Sequence, residues 1–434
     1  MCPENSKGKN GVSRKIVQFG ISGLFLVMTW SLWSQIHENP SIEPLIQEAL
    51  RNNPEIIALQ QNLQAVRAQI PPMSTLPDPM IKLGAVNLPV NTFHFDQEPM
   101  TGKQVMLTQR FPFFGTLAVQ SELGRQKMEM AGYQLYAKEN EIVRKVKESV
   151  YNIAYLKQAV VLAEKNLDIL DQFVQVASTK YEVGKGLQQD VLRAQVAQSR
   201  MKEKVIILKQ KERSAEVMLN TLLAREVDDP LEPIPDLKAD EMIFEKDTLF
   251  RKSSEHNPML AMLNAEIAAA SAKKRLEKRK YFPYMDLSVA YTQRESIMGR
   301  TMPDYFTAQA GFSVPLWFWR RQIKQVKESG LQINEKKAER ENILNGIHQK
   351  LFDLMISIDE KRKRIEIYQG GILPLGKQSL EADLSAYTVD KIDFFTLLNS
   401  QKQLFNDEMD YIRLMADHEI AKAQLEEVVG ERLF

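Results

Sequence analysis

Residues 116–182 read TLAVQSELGRQKMEMAGYQLYAKENEIVRKVKESVYNIAYLKQAVVLAEKNLDILDQFVQVASTKYE, without a proline and with Gly124 and Gly132 as their only glycines. At 1.5 Å per residue, a helix over this stretch is on the order of 100 Å long. A compact globule has no use for such a helix. Its apolar positions fall in two series at spacing seven: Val146, Ile153, Val160, Leu167, Val174, Tyr181, and Ser149, Leu156, Ala163, Leu170, Ala177. Alternating steps of four and three make the seam of a coiled coil. After a turn the rhythm resumes at Leu187, Val191, Ala194, Gln198 and Met201 and continues to Leu222. An antiparallel helical hairpin is the consequence.

The same plan occurs twice. Asn53-Pro54 returns as Asn257-Pro258, Phe111-Pro112 as Val314-Pro315, and Tyr181 as Tyr387, at offsets of 204, 203 and 206 positions. Three landmarks in one order at a near-constant offset imply an internal duplication. The second hairpin carries its seam through Leu344, Ile347, Leu351, Leu354, Ile358, Lys361, Ile365, Tyr368, Ile372 and Leu375. The expected division is a signal segment at 1–34, a first repeat at 35–228, a Pro-rich join at 229–240 and a second repeat at 241–434. Proline in the join stops helix, because it lacks the amide donor and clashes with the preceding turn.

Between the helices the period changes to two. Met285, Leu287, Val289 and Tyr291 alternate with Asp286, Ser288, Ala290 and Thr292; Phe306, Ala308, Ala310, Phe312 and Val314 alternate with Thr307, Gln309, Gly311 and Ser313. In the first half Ile81, Leu83 and Ala85, then Val105, Leu107 and Phe111, give a weaker version. An apolar face turned to lipid and a polar face turned to a lumen is the pattern of a membrane β-barrel strand. Aromatic residues at the strand ends, Tyr281, Phe282, Tyr284 and Trp317 to Trp319, suit an interfacial belt. Four strands cannot close a barrel, since the smallest have about eight, and an open edge in lipid leaves backbone groups unsatisfied. Three copies supply twelve strands. Two hairpins packed on a soluble bundle is the competing reading, and it requires the apolar strand face to be covered by protein.

Composition excludes several classes. The 57 basic and 56 acidic residues cancel and form no single-sign block, so nothing calls for nucleic acid. The single cysteine, Cys2, allows no internal disulfide or CxxC site. Arg14 and Lys15 followed by an apolar run from Ile16 to Trp33 suit an export signal, with cleavage near Thr29-Trp30-Ser31 or Ser34; an uncleaved membrane anchor is the alternative. Walker A, GxGxxG and HExxH patterns are missing, and His37, His94, His256, His348 and His418 lie scattered, so no enzyme and no cofactor are expected. Possible soft or borderline metal ligands occur in the expected external loops, His94, Asp96 and Met100 in one and Met298 and Met302 in the other; ordinary loop residues are the competing reading, and no metal site is assigned.

Taken together, these landmarks resemble the TolC-type outer-membrane efflux family over about Ile42 to Gly430. The motifs that carry the resemblance are the Asn-Pro pairs, the strand-to-helix junction Phe111-Pro112-Phe113-Phe114-Gly115 with its counterpart Val314-Pro315, and the turn Tyr181, Gly184, Asp190, Val191, Ala194, Gln195. The segment from Asn87-Leu88-Pro89 to Pro99-Met100 looks more like the heavy-metal branch than the drug branch.

The resemblance implies a mainly α chain with a small β part. Its homotrimer would form a 12-stranded barrel in the outer membrane and an α-helical tunnel through the periplasm, a passive duct serving a periplasmic adaptor and an inner-membrane efflux pump. It also implies that the two hairpin tips, Tyr181 to Asp190 and Tyr387 to Phe395, close the duct and meet the adaptor. Tyr387 and Asp190 match family gate positions. Ile392 replaces the family's arginine, and Thr396 and Asn399 replace its aspartates. Asp390, Lys391 and Asp393 could supply other tip contacts or could be solvated turn residues. Gly184 and Gly186 suit a reversal that needs positive φ. The second tip has Asp390 in place of Gly184, so a different turn is expected there. A periplasmic coiled-coil rod on an N-terminal anchor is the rival function.

Overall fold

The computed structural model describes residues 41–237 and 245–433. The expected signal segment, Cys2, His37, the end of the Pro-rich join and residues 241–244 lie outside them. The described residues belong to a single compact unit. Its first half runs α1 (Glu43–Asn52), α2 (Pro54–Ala68), the short α3 (Ile70–Ser74), β1 (Met80–Val86), β2 (Gly102–Phe111), α4 (Thr116–Glu182) and α5 (Gln188–Leu223). The second runs α6 (Lys246–His256), α7 (Pro258–Arg279), β3 (Met285–Gln293), β4 (Tyr305–Phe312), α8 (Gln322–Ile367), α9 (Leu373–Thr388) and α10 (Phe394–Val429).

The asparagine landmarks serve as hinges. Asn53 Oδ1 accepts from the Glu55 amide at 3.0 Å, and Asn257 Oδ1 accepts from the Met259 and Leu260 amides at 3.0 and 3.3 Å. Each therefore caps the helix that follows, while Pro54 and Pro258 take first-turn positions where no amide donor is needed. Their side-chain amides donate to Leu222 O at 3.1 Å and Val428 O at 2.8 Å, pinning the kink of each short helix pair to the end of that half's return helix.

Helix α4 is the spine, packed against α5, α7 and α10. Val146, Val150 and Ile153 are fully buried on it beside Leu45, Ile46, Leu219 and Leu223. Each such side chain contributes about 1.5–3 kcal/mol relative to exposure. Toward the tip the seam departs from the expected spacing. Leu167 and Val174 are only half-buried and Tyr181 is exposed, while Asn166 and Phe173 take the buried seats. The cause is a second partner: α4 touches α10 as well as α5, and Phe173 meets Phe394 of α10 edge to face. Higher up, the buried Lys147–Glu426 ion pair at 2.5 Å ties α4 to α10, and Glu419, paired with Lys422 at 3.0 Å and hydrogen-bonded to the His418 ring at 2.9 Å, braces α10.

The second long helix is interrupted by a π turn at Tyr368–Ile372 between α8 and α9. Pro374 cannot donate to the carbonyl of Gly370, and the wider turn over Gly370-Gly371 absorbs the missing bond.

The four strands form one antiparallel sheet in the order β1-β2-β3-β4, so both hairpins join edge to edge through β2 and β3. The register sorts the side chains into two faces. One carries the cross-strand rows Ile81-Leu107-Val289-Ala308 and Leu83-Val105-Tyr291-Phe306. It is open: Ile81 is 67%, Leu83 77% and Phe306 74% exposed. The other face carries Gln104 donating to Thr292, Thr108 bonded to Ser288 at 2.9 Å, and Arg110 paired with Asp286 at 2.9 and 3.2 Å. Among the described residues nothing covers most of the apolar face, unlike hairpins lying on a soluble bundle, and β1 and β4 are free edges. Strand β4 ends at Phe312, two residues before the expected Val314: Ser313 donates its amide to the Tyr284 carbonyl at 3.1 Å, and its hydroxyl accepts from the Tyr284 amide at 3.0 Å in place of a backbone carbonyl. Among the described residues no helix is long and apolar enough to cross a membrane.

Candidate functional site: the hairpin tips and the duct wall

Both tips turn in the same way, against expectation. At the first, the Lys185 amide bonds Lys180 O at 2.8 Å and the Gly184 amide bonds Tyr181 O at 3.0 Å. At the second, the Lys391 amide bonds Ala386 O at 2.9 Å and the Asp390 amide bonds Tyr387 O at 3.2 Å. Each is a Schellman closure, which needs one left-handed residue just past the helix. Gly184 supplies it with φ +71°, and Asp390 supplies it with φ +59°, a conformation that aspartate tolerates better than most side chains. Gly186 does not have positive φ. It is glycine for room, since a Cβ there would lie 2.9 Å from the Tyr181 amide nitrogen and 3.1 Å from the Lys180 carbonyl carbon.

Lys180, which sequence reasoning passed over, joins the two tips. Its ammonium donates to Asp390 Oδ1 and to the Tyr387 carbonyl, each at 2.5 Å, and lies 4.2 Å from the centre of the Tyr387 ring. It holds the Asp390 carboxyl below the usual aspartate range. Tyr387 itself is 5% exposed and packs at 5.5 Å, edge to face, on Phe394. Burial raises its phenol pKa, with the nearby charges of Asp190 and Asp390 adding to the effect. Asp190 is half-buried.

The remaining candidates take separate places. Asp393 caps α10 by accepting from the Thr396 amide at 2.9 Å and hydroxyl at 2.5 Å, and this holds its carboxyl below the usual range. Lys391 is exposed. Ile392, in the family's arginine position, packs against the apolar cluster of Leu170, Phe173, Tyr387 and Phe394. Asn399 is exposed on the wall of a groove of about 710 Å³ between α5 and α10. Leu170, Val196, Met201 and Phe405 line that groove with the cations Arg193, Arg200, Lys204 and Lys402. The cations lie on two helices some two hundred residues apart in sequence, so no local pattern flagged them.

At the strand-to-helix junction, Gly115 has φ +72° and the Arg279 guanidinium donates to Phe114 O beside it. Phe113, following Phe111 and Pro112, stacks on Phe282 at 4.2 Å, which locks the β2–α4 corner to the β3 corner. The second junction is more open: Val314 is exposed and Pro315 half-buried. Trp317 and Trp319 remain exposed. In the first external loop Asn87 donates to Met100 O at 3.1 Å, and among the described residues no three His, Cys, Asp or Glu gather to hold a metal.

Residues 45–225 match the outer membrane efflux protein family model. The chain is 23% identical over 310 residues to the cobalt-zinc-cadmium resistance protein CzcC of Cupriavidus metallidurans, spanning 70% of this chain and 71% of that protein. It is 19% identical over 308 residues to the outer membrane efflux protein BepC of Brucella suis, spanning 69% and 66%. A solved structure of CusC, described in terms of folding and transmembrane channel formation, superposes with TM-score 0.76 at 16% identity over 90% of this chain and 92% of that one.

Proposed function

We propose that the chain is a TolC-type outer-membrane efflux protein and that three copies close into a passive duct exporting small molecules or metal ions with a periplasmic adaptor and an inner-membrane pump. The observation that carries this reading is the sheet, apolar and bare on one face, hydrogen-bonded and polar on the other, with β1 and β4 unpaired. In lipid an unpaired edge is not viable, and β4 of one copy meeting β1 of the next removes all edges when the ring closes. The helices support the same ring. Val161, Ile206 and Met218 on the first hairpin and Ile356, Ile367 and Leu375 on the second are more than half exposed, which is costly unless neighbouring copies cover them.

The groove between α5 and α10 suits an adaptor: an apolar floor with basic walls accepts an amphipathic helix flanked by acidic residues. We assign residues 35–228 and 241–434 as the two repeats, 229–240 as the join and 1–34 as the export signal. The tip residues Tyr181, Gly184, Gly186, Asp190, Tyr387, Asp390, Asp393, Thr396 and Asn399 are assigned to closure and adaptor contact, and the corners Phe111, Pro112, Gly115, Val314 and Pro315 to coupling of barrel and tunnel.

Fractionation tests the duct directly. A heat-modifiable outer-membrane trimer that conducts ions in planar bilayers is expected; a monomer retained in the inner membrane would mean a tethered coiled-coil rod instead. Sensitivity of a deletion strain to cobalt, zinc and cadmium, measured beside its sensitivity to organic drugs, assigns the cargo.

A further inference from the structure

We infer that the barrel lumen of this duct is cationic and favours anions, with Lys82 as the residue that sets the preference; the inference rests on the trimeric duct proposed above. Among the described residues, four charged side chains lie within the strands: Lys82, Lys103, Arg110 and Asp286. Cross-strand partners share a face, so the register fixes the side on which each one lies. Lys103 pairs with Gln293 and lies on the apolar face at its outer end, where its ammonium meets Glu295 at 2.8 Å. Arg110 and Asp286 lie opposite each other on the polar face and neutralise one another. Lys82 falls in the row Lys82-Met106-Ala290-Thr307 of that same polar face; it is exposed and makes no ion pair among the described residues. The polar strand face of each copy therefore carries a net charge of +1.

The apolar face can only be the lipid face, so Lys82 looks into the lumen. Threefold closure places three Lys82 ammonium groups at one height, midway along the strands. Rings of lysine or arginine are the arrangement by which pores favour anions.

A second cation stands above the ring. The Arg294 guanidinium is held at 4.0 Å over the ring of Tyr305, which is on the lumen face, and donates to Pro99 O at 2.9 Å and Pro303 O at 2.7 Å. Carbonyl partners orient the guanidinium, while the Asp304 carboxylate, which accepts from the Arg294 backbone amide at 2.9 Å, offsets part of its charge. The external loops around it carry both signs, so the strand face and its one uncompensated lysine decide the preference. Such a lumen favours small anions over small cations of like size.

The test is the reversal potential of the purified trimer in planar bilayers under a potassium chloride gradient, in a Lys180→Ala background to open the tip. Chloride is expected to permeate about twofold or more over potassium below roughly 0.1 M salt, where the screening length is about 10 Å, with the preference collapsing near 1 M. Lys82→Gln should reduce the preference and Lys82→Glu should reverse it, both retaining the heat-modifiable trimer; Arg294→Gln should give a smaller shift. A conducting trimer whose ion preference is the same with lysine or glutamate at position 82 overturns the inference and leaves the duct intact. Absence of a trimer, or of any conductance, overturns the duct and the inference together.

Discussion

Lys180, in the last turn of α4, donates across to Asp390, the left-handed residue of the second tip, at 2.5 Å, joining two hairpins that are 210 residues apart in sequence. The Schellman turn makes this possible. It turns Asp390 back toward α4, and the same lysine reaches the Tyr387 carbonyl and ring.

Breaking this link should loosen the tip. Lys180→Ala and Asp390→Asn are each expected to raise single-channel open probability several-fold, and the swapped pair Lys180→Asp with Asp390→Lys should restore part of the closure. A pair of singles that conduct like wild type would remove the link from the gate.

The link also has a pH signature. Lys180 depresses the Asp390 pKa, so the stabilisation is fully present above the ordinary aspartate value and is lost only as pH falls through the depressed one. Conductance should therefore be flat from pH 7 to pH 5 and rise only in stronger acid. A transition near pH 6 would point to a different group.

Tyr387 and Asp190 separate packing from closure. Tyr387→Ala empties a buried seat beside Phe394 and is expected to cost about 3 kcal/mol of local stability, seen as faster proteolysis at the tip, whereas Tyr387→Phe should keep the packing. Both Asp190→Ala and Tyr387→Ala should raise conductance. Unchanged conductance in the two variants would take them out of the gate.

The two glycines of the first tip should respond unequally to alanine. Gly184→Ala meets open space and has only its positive φ against it, about 1–2 kcal/mol, whereas Gly186→Ala drives a Cβ into the backbone of Lys180 and Tyr181. Limited proteolysis should cut the Gly186→Ala tip faster; equal rates would contradict the geometry.

Asn257→Ala removes a helix cap and the tie to Val428 together. A loss of about 1–2 kcal/mol is expected, read as a lower unfolding midpoint of the trimer, with Asn257→Asp keeping the cap and losing only the tie. An alanine variant as stable as wild type would show that the kink does not need its asparagine.

Much of the fold was legible in the sequence because it is written in local periods. A spacing of seven gave the core seams of α4 and α5, and alternation gave all four strands to within two residues. Legibility ended where an element serves two partners. Tyr181 continues the seven-residue series yet is exposed, because near the tip α4 must also face α10 and its buried stripe moves to Phe173. The π turn was missed, because the apolar seam runs straight through it from Ile365 to Leu375, although Gly370-Gly371 and Pro374 mark the place. The turn at Asp390 was misjudged because glycine was taken as necessary where an aspartate in the left-handed region suffices.

By itself, the sequence determined the kind and order of the principal elements and the apolar and polar faces of the strands. Tertiary structure alone decided which faces meet. Lys180 with Asp390, Arg110 with Asp286 across 176 positions, and Lys82 on the same face outside that ion pair all follow from strand register and helix docking. The physical reason is range: backbone periodicity is fixed by neighbours a few residues away, whereas the pairing of charges depends on packing between segments that the spacing of residues along the chain does not encode.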